Sequence, residues 1–236
     1  MTTLNILSGG AAQGLVGSLA SAFKAETGFD IAGEFGAVGV MADKLRKGTP
    51  TDIVILTAAL VAKLAEEKLV IAASIADVGL VETALAVRTG DPQATVRDAA
   101  DLREALLASD AIFVPDTKAS TAGIHVAHVL DRLGIADKIA SRLKIFPNGA
   151  TAMRELATSD ARHPIGCTQS TEIISTKGVT LSGSLPPGCQ LATTYTAGIT
   201  VVAAHPQQAQ DLIALLTGAG QHEQRKRAGF ISQAPT

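Results

Sequence analysis

The sequence is nearly free of aromatic residues. Its 236 residues include no tryptophan, one tyrosine and six phenylalanines. Nucleic-acid-binding surfaces combine clustered cations with aromatic stacking platforms, but here the net charge is −2 and the lysines and arginines are spread along the chain. We therefore expect no nucleic-acid partner. A core with so few rings must be packed from alanine, leucine, isoleucine and valine, which suits helices layered on a parallel sheet.

Cysteines and long apolar runs are also scarce. Cys167 and Cys189 are too few for a disulfide framework and are expected to be buried, inert thiols. No apolar stretch reaches the ~18 residues that span a bilayer, so we expect no membrane segment. The opening residues run directly into a strand pattern, without a cationic and apolar leader. This favours a cytoplasmic location, or a periplasmic one if a leader has been removed.

Strand and helix patterns alternate along almost the whole chain. Residues 1–80 contain three β-α repeats, which imply right-handed crossovers and a parallel sheet. Long strand patterns at 80–88 and 191–204 bracket a middle block with its own alternation. We therefore predict an α/β fold of two lobes with mixed, mostly parallel sheets flanked by helices and a hinged, ligand-binding cleft. One lobe comprises residues 1–80 and 195–236, and the other residues 81–194.

Four turns from a strand into a helix carry glycine or hydroxyl residues. Backbone N–H groups and the helix dipole favour an anion at such turns. The candidate ligand-binding residues are Ser8, Gly9 and Gly10 in the first turn, Ser120 and Thr121 in the loop 116–123, Gly149 in a turn with free amides, and Thr168 and Gln169 after a buried strand. A tight turn or an N-cap explains each motif taken alone. Together they predict a small anionic ligand.

Titratable groups near these turns are few. Lys118, His125 and Glu172 are the candidate catalytic residues, because a proton carrier must lie close to the ligand. Lys118 is otherwise a solvated surface residue, and Glu172 a partner of a helix dipole. His125 and His128 are spaced i, i+3 without a third ligand, and His128 is expected to pack against its neighbours. We therefore predict no metal site and no cofactor.

Several segments resemble the periplasmic molybdate-binding protein family across essentially the whole chain. They are "AFKAETG" (22–28), "GTPTDIVIL" (48–56), "STAGIHVAHVLDRLGIADKI" (120–139) and "RKRAGF" (225–230). The resemblance implies the two-lobed type II periplasmic-binding-protein fold, with a ligand held mainly by backbone amides and hydroxyls. Where that family presents three ligand hydroxyls, however, this sequence has Ala11, Val38 and Gln169. A desolvated oxyanion would lack those donors, so we expect weak molybdate binding.

Other short motifs resemble a sub-branch of that family that contains bacterial aconitate isomerase. They are "LSGGA" (7–11), "IGCTQSTEI" (165–173), "GSLPP" (183–187) and "TYTAGI" (194–199). This likeness implies a cofactor-independent isomerase that moves an allylic proton of a di- or tricarboxylate. The alternative is the substrate-binding component of an ABC importer for molybdate-like oxyanions or carboxylates, with an ABC permease as its partner. A ligand-sensing regulatory domain is a third, weaker interpretation.

Overall fold

Two α/β units make up the chain in a computed structural model that describes residues 2–231. The first unit runs to Val81 and resumes at Thr193, and the second is Glu82–Ala192. The strands are β1 (Thr3–Gly9), β2 (Asp30–Gly36), β3 (Ile53–Thr57), β4 (Ala76–Arg88), β5 (Ala111–Pro115), β6 (Leu143–Phe146), β7 (Pro164–Gln169), β8 (Val179–Ser184) and β9 (Ala192–Ile199). The helices are α1 (Gln13–Thr27), α2 (Val38–Arg46), α3 (Ala58–Glu66), α4 (Ala99–Ala108), α5 (Thr121–Arg132), α6 (Ala136–Ile139), α7 (Gly149–Ala157), α8 (Ser170–Ile174), α9 (Pro206–Thr217) and α10 (His222–Arg227).

In the first unit, β1 lies between β2 and β3 and runs parallel to both, while β9 pairs antiparallel with β3. Helix α1 buries Leu15, Leu19 and Phe23, which recur every four residues and so form one face. It ends at Gly28, whose left-handed φ of 77° is typical of a glycine C-cap. The buried helix faces and the β1 and β3 side chains form one aliphatic core around Phe23.

In the second unit, β5 lies between β6 and β7 and runs parallel to both. Strand β4 pairs antiparallel with β7 and with β8. Two aliphatic clusters, one around Leu102 and Ile112 and the other around Met153 and Leu156, fill its interior. Because β5, β6 and β7 are parallel, their carboxyl ends meet at one edge of the sheet, and α5, α7 and α8 begin there.

The predicted α/β class, with mixed sheets flanked by helices, is confirmed. Helices α5 and α7 begin at Thr121 and Gly149, and the small residues of both first turns hide the helical periodicity in the sequence. One boundary was wrong. The strand expected at 191–204 ends at Ile199. Its apolar continuation turns outward, leaving Val202 67% exposed.

Strand β8 was not predicted. Its sequence, VTLSGS, has little apolar content, and a register irregularity interrupts its pairing with β4 between Leu85 and Ala86. A strand with this composition shows almost no alternation of apolar and polar residues, which is the pattern that identifies a strand in a sequence. Within residues 2–231, no helix is both long and apolar enough to cross a membrane.

Candidate functional site

Most of the predicted site residues of the second unit lie at one edge of its sheet. Ser120 and Thr121 follow β5, Gly149 opens α7 after β6, and Thr168 and Gln169 are the last two residues of β7. The topology brings these segments together because the three strands are parallel neighbours. This edge is the candidate functional site of the second unit.

The buried carboxylate of Glu172 occupies part of this edge. The Thr168 hydroxyl donates to Glu172 Oε2 over 2.6 Å, and the backbone N–H groups of Gln169, Gly149 and Ala150 also donate to the carboxylate. Gln169 is the N-cap of α8 and Glu172 is the third residue of that helix. The hydrogen bond from Gln169 N–H to the Glu172 side chain is therefore one of the two bonds of a capping box. The amides of Gly149 and Ala150, predicted to be free for a ligand, are therefore engaged by a side chain of the protein itself.

Burial raises the pKa of the Glu172 carboxyl above its ordinary value, against the effect of the four hydrogen bonds, which lower it. Only 5% of the residue is exposed. The carboxyl is therefore buried and accepts several hydrogen bonds. The sequence had suggested only a residue that interacts with a helix dipole. Its predicted role as a proton carrier stays a prediction.

Gly149 is required by this arrangement. A Cβ at this position would lie 1.9 Å from Glu172 Oε2 and 2.1 Å from Thr168 Oγ1. The carboxylate therefore rests directly on the backbone at the start of α7. Asn148, the N-cap, accepts a hydrogen bond from Thr151 N–H at 2.8 Å and satisfies another amide of the same turn.

Three buried side chains near this edge have polar atoms without a hydrogen-bond partner in the part of the chain that the structure describes. They are Thr83 (Oγ1), Gln169 (Oε1 and Nε2) and Thr171 (Oγ1), each at most 3% exposed. Leaving such a group unpaired costs about 1–3 kcal/mol, and native proteins contain few of them. Thr83 and Gln169 are direct cross-strand partners in the β4–β7 ladder. They form what we call the Thr83–Gln169 pair.

Thr83 did not emerge from the sequence. It lies in an apolar stretch, VETALAV, that reads as a buried strand, and one threonine is common in such strands. The signal that pointed to this region was Gln169, a polar residue at the carboxyl end of a buried strand. The pairing register that places Thr83 opposite Gln169 is a long-range property which local patterns do not contain.

The three proton-carrier candidates differ in environment. Lys118 is exposed on the loop after β5, and its backbone N–H donates to Asp116 Oδ1 at 2.7 Å. His125 is half-buried in α5, with Nε2 2.8 Å from the carbonyl oxygen of Cys189. A carbonyl only accepts, so Nε2 carries a hydrogen and donates it to Cys189 O. His128 is exposed, so its expected packing role was wrong.

Ser120 is the N-cap of α5, but its side chain makes no capping hydrogen bond. A side-chain cap, which would have explained this motif taken alone, therefore does not account for the Ser120 hydroxyl. The preceding loop is instead held by Asp116, whose Oδ1 accepts from Lys118 N–H and Ala119 N–H. The hydroxyls of Ser120 and Thr121 stay predicted ligand contacts.

This difference predicts contrasting effects of two substitutions at helix N-caps. Asp98 caps α4 by accepting from Ala100 N–H and Asp101 N–H, both at 2.9 Å. Asp98→Ala should lower the free energy of unfolding by about 1 kcal/mol. Ser120→Ala should change it by less than about 0.5 kcal/mol, because no cap bond is lost. Urea unfolding measures both, and equal losses would show that Ser120 does cap its helix in solution.

In the first unit, Ser8 and Gly9 are the last residues of β1, and Gly10 begins a short 3-10 turn into α1. The Ser8 hydroxyl is fully buried and donates to the carbonyl oxygen of Gly9 at 2.9 Å. A Cβ on Gly9 would lie 2.8 Å from a ring carbon of Tyr195, so this turn also needs a glycine. The three residues stay predicted ligand contacts.

Cys167 and Cys189 are both free and buried, as expected. Burial raises the pKa of the Cys167 thiol to about 12, so it is not a nucleophile at neutral pH. Among residues 2–231, no three His, Cys, Asp or Glu side chains are grouped closely enough to hold a metal ion. The chemistry available at this edge is therefore hydrogen bonding from amides and hydroxyls, together with nearby titratable side chains.

Comparison with known proteins agrees with this description. The Azotobacter vinelandii periplasmic molybdate-binding protein is 18% identical and has a TM-score of 0.82 over 98% of this chain and 100% of its own. The sulfate-binding protein SubI from Mycobacterium tuberculosis is 18% identical, with a TM-score of 0.76 over 100% of this chain and 88% of its own. At this identity the likeness shows the fold alone, which is the predicted two-lobed periplasmic-binding-protein fold.

A curated relative is more similar in sequence. Aconitate isomerase from a Pseudomonas species is 24% identical over 227 residues, which are 92% of this chain and 82% of that protein. This match supports the resemblance to that sub-branch.

The family of bacterial extracellular solute-binding proteins matches residues 4–231. The description of the family as extracellular supports the alternative of an exported protein, whereas the cytoplasmic location expected from the opening residues gains no support. Because the match extends over almost the entire sequence, this chain belongs to the family of bacterial extracellular solute-binding proteins.

Proposed function

We propose that this protein binds a small di- or tricarboxylate and isomerises it by moving an allylic proton. The observation that carries the proposal is the buried Thr83–Gln169 pair, whose amide and hydroxyl have no partner among residues 2–231 and are matched by the oxygens of a carboxyl group. The curated relative named aconitate isomerase supports this choice of ligand and reaction.

Three positions argue against a tetrahedral oxyanion as the ligand. Ala11 and Val38, which stand where molybdate-binding relatives are expected to present hydroxyls, are 1% and 8% exposed and offer no side-chain donor. Gln169 offers an amide at the third position. A flat carboxyl group can lie along a flat carboxamide, whereas a tetrahedral ion bound there would lose several hydroxyl donors.

His125 is the proposed base. Its Nε2–H is committed to the Cys189 carbonyl, so the Nδ1 lone pair is the one that accepts a proton. In the proposed reaction, the allylic C–H bond breaks, its proton moves to Nδ1, and the electron pair delocalises over the double bond and the adjacent carboxyl group. The proton on Nδ1 exchanges with solvent, and Nδ1 then protonates the carbon at the other end of the allylic system, so no net oxidation occurs. Hydrogen-bond donors beside that carboxyl lower the barrier.

The experiment is a turnover assay on the purified protein. It should interconvert cis- and trans-aconitate, and in deuterated water the product should carry deuterium at the carbon that is reprotonated. His125→Gln should abolish turnover while keeping affinity, because a glutamine amide can still donate to the Cys189 carbonyl but accepts no proton. His128→Gln is the matched control on the same helix, and it should turn over like the unaltered protein.

A second candidate is the substrate-binding component of an ABC importer, which the family match favours. This function predicts tight binding with neither turnover nor proton exchange, and an ABC permease as partner. Calorimetry with molybdate, sulfate, citrate and the aconitates separates the two. Tight binding of trans-aconitate without deuterium exchange would support the importer, and submicromolar molybdate binding would contradict the carboxylate proposal altogether.

A further inference from the structure

The Thr83–Gln169 pair is more specific than a general anion site. Both residues are electrically neutral, and the buried carboxamide of Gln169 has an unused acceptor, Oε1, beside an unused donor, Nε2. An ionised carboxylate accepts hydrogen bonds but donates none, so it would satisfy Nε2 and leave Oε1 facing a negative charge. A protonated carboxyl group offers a donor and an acceptor side by side, in the same plane.

The two side chains lie on the same face of the sheet. They are opposite each other in the antiparallel β4–β7 ladder. The Thr83 N–H bonds to Leu191 O and the Thr83 carbonyl accepts from Leu185 N–H, so the main-chain groups of Thr83 point away from β7. In such a non-hydrogen-bonded pair the side chains lie closest together. A single planar group can therefore contact the amide of Gln169 and the hydroxyl of Thr83.

We infer that the Thr83–Gln169 pair binds one carboxyl group of the ligand in its neutral, protonated form. This inference rests on the proposed function, since it specifies the state of the carboxylate named there. The acid O–H donates to Gln169 Oε1, and the acid carbonyl accepts from Gln169 Nε2 and from the Thr83 hydroxyl. An ionised group in the same buried, neutral surroundings would lose its hydration without gaining a counter-charge.

Binding the carboxyl group in its protonated form also favours the proposed proton transfer. Removing a proton from carbon next to an ionised carboxylate creates a second negative charge on the same group. Next to a protonated carboxyl, the electron pair moves into a carbonyl that already receives two hydrogen bonds, so less charge accumulates. The Thr83–Gln169 pair would thereby assist the allylic proton transfer without touching the proton that moves.

Titratable and charged groups on the neighbouring segments are the other possible proton acceptors. Glu82 precedes Thr83 on β4, points to the opposite face and accepts from the Ser184 hydroxyl. Glu172 on α8 is bonded to the hydroxyl of Thr168, on the opposite face from Gln169. His125 lies on α5, and Asp116 and Lys118 lie on the loop after β5. None of them is altered when Gln169 is replaced.

The test is calorimetry of trans-aconitate binding at pH 7.5 in phosphate and in Tris, whose ionisation enthalpies differ. Carboxyl groups are ionised at this pH, so binding the neutral form takes up close to one proton per ligand, and affinity falls about tenfold per unit as pH rises. Gln169→Met should abolish both the uptake and the slope. Thr83→Val, which removes only the hydroxyl, should weaken binding about tenfold. Gln93→Met, at an exposed position, is the control.

The outcomes are distinct. Binding without proton uptake overturns the inference and leaves the proposed function standing, since an ionised carboxylate is then the bound form. Uptake that persists in Gln169→Met also overturns it, because one of the titratable groups named above takes the proton. If trans-aconitate and citrate do not bind at any pH, the proposed function itself fails.

Discussion

Replacing Gly149 by alanine should lower the free energy of unfolding by about 3–5 kcal/mol. The new methyl carbon would lie 1.9 Å from the Glu172 carboxylate and 2.1 Å from the Thr168 hydroxyl, which are both buried. Relief requires the carboxylate to move away from the start of α7. The Gly149 and Ala150 amides would then lose their acceptor in a place that water does not reach.

Gly17→Ala is the matched control. Gly17 is an exposed residue within α1, and a Cβ there meets no atom within 4 Å. Alanine should therefore raise the free energy of unfolding by about 0.5–1 kcal/mol, as expected for a helix interior. Urea unfolding followed by circular dichroism measures both variants. A loss below about 1 kcal/mol for Gly149→Ala would mean that the carboxylate can rearrange without losing its donors.

How far the sequence predicts this site depends on the range of the interactions. The α1 face of Leu15, Leu19 and Phe23 and the glycine that ends the helix follow a local pattern, which the sequence alone contains. The contact of Glu172 with Gly149 was not predicted, because it joins two residues that lie 23 positions apart in the sequence and belong to different helices. Both residues were recognised individually as candidates. Local patterns show that a turn has amides, but only the folded chain shows which carboxylate already uses them.

The Thr83–Gln169 pair illustrates the same limit in a sheet. Either residue alone is an ordinary feature of a strand. Their meeting depends on the antiparallel register of β4 and β7, which pairs two residues that lie 86 positions apart along the chain. The absence of a partner for Gln169 also appears only once every neighbouring donor and acceptor is placed. For this reason, sequence reasoning indicated the candidate edge but did not identify the buried polar groups that have no partner there.

Glu172→Gln should lower the free energy of unfolding by about 2–3 kcal/mol at neutral pH. Glutamine keeps the shape but replaces one acceptor oxygen with an NH2 group, which would face the donors that now point at the carboxylate. Glu155→Gln is the control, since Glu155 is exposed on α7, and it should change stability by less than about 0.5 kcal/mol. Equal effects would contradict the described hydrogen bonds.

The pH dependence of the free energy of unfolding, compared between the unaltered protein and Glu172→Gln, tests the direction in which the Glu172 pKa is shifted. Burial raises that pKa in the folded state above the ordinary value of 4.5, so the folded protein binds a proton there more tightly than the unfolded chain does. The stability contributed by this group is therefore fully present below about pH 4.5 and is lost as pH rises through the raised value.

Glutamine does not titrate, and the remaining groups are common to both proteins. The advantage of the unaltered protein over Glu172→Gln, measured by urea unfolding at several pH values, should consequently shrink as pH rises from 4.5. An advantage that grows instead would mean that the Thr168 hydroxyl and the three amides outweigh the effect of burial, and that Glu172 is a permanent internal anion at the start of α7.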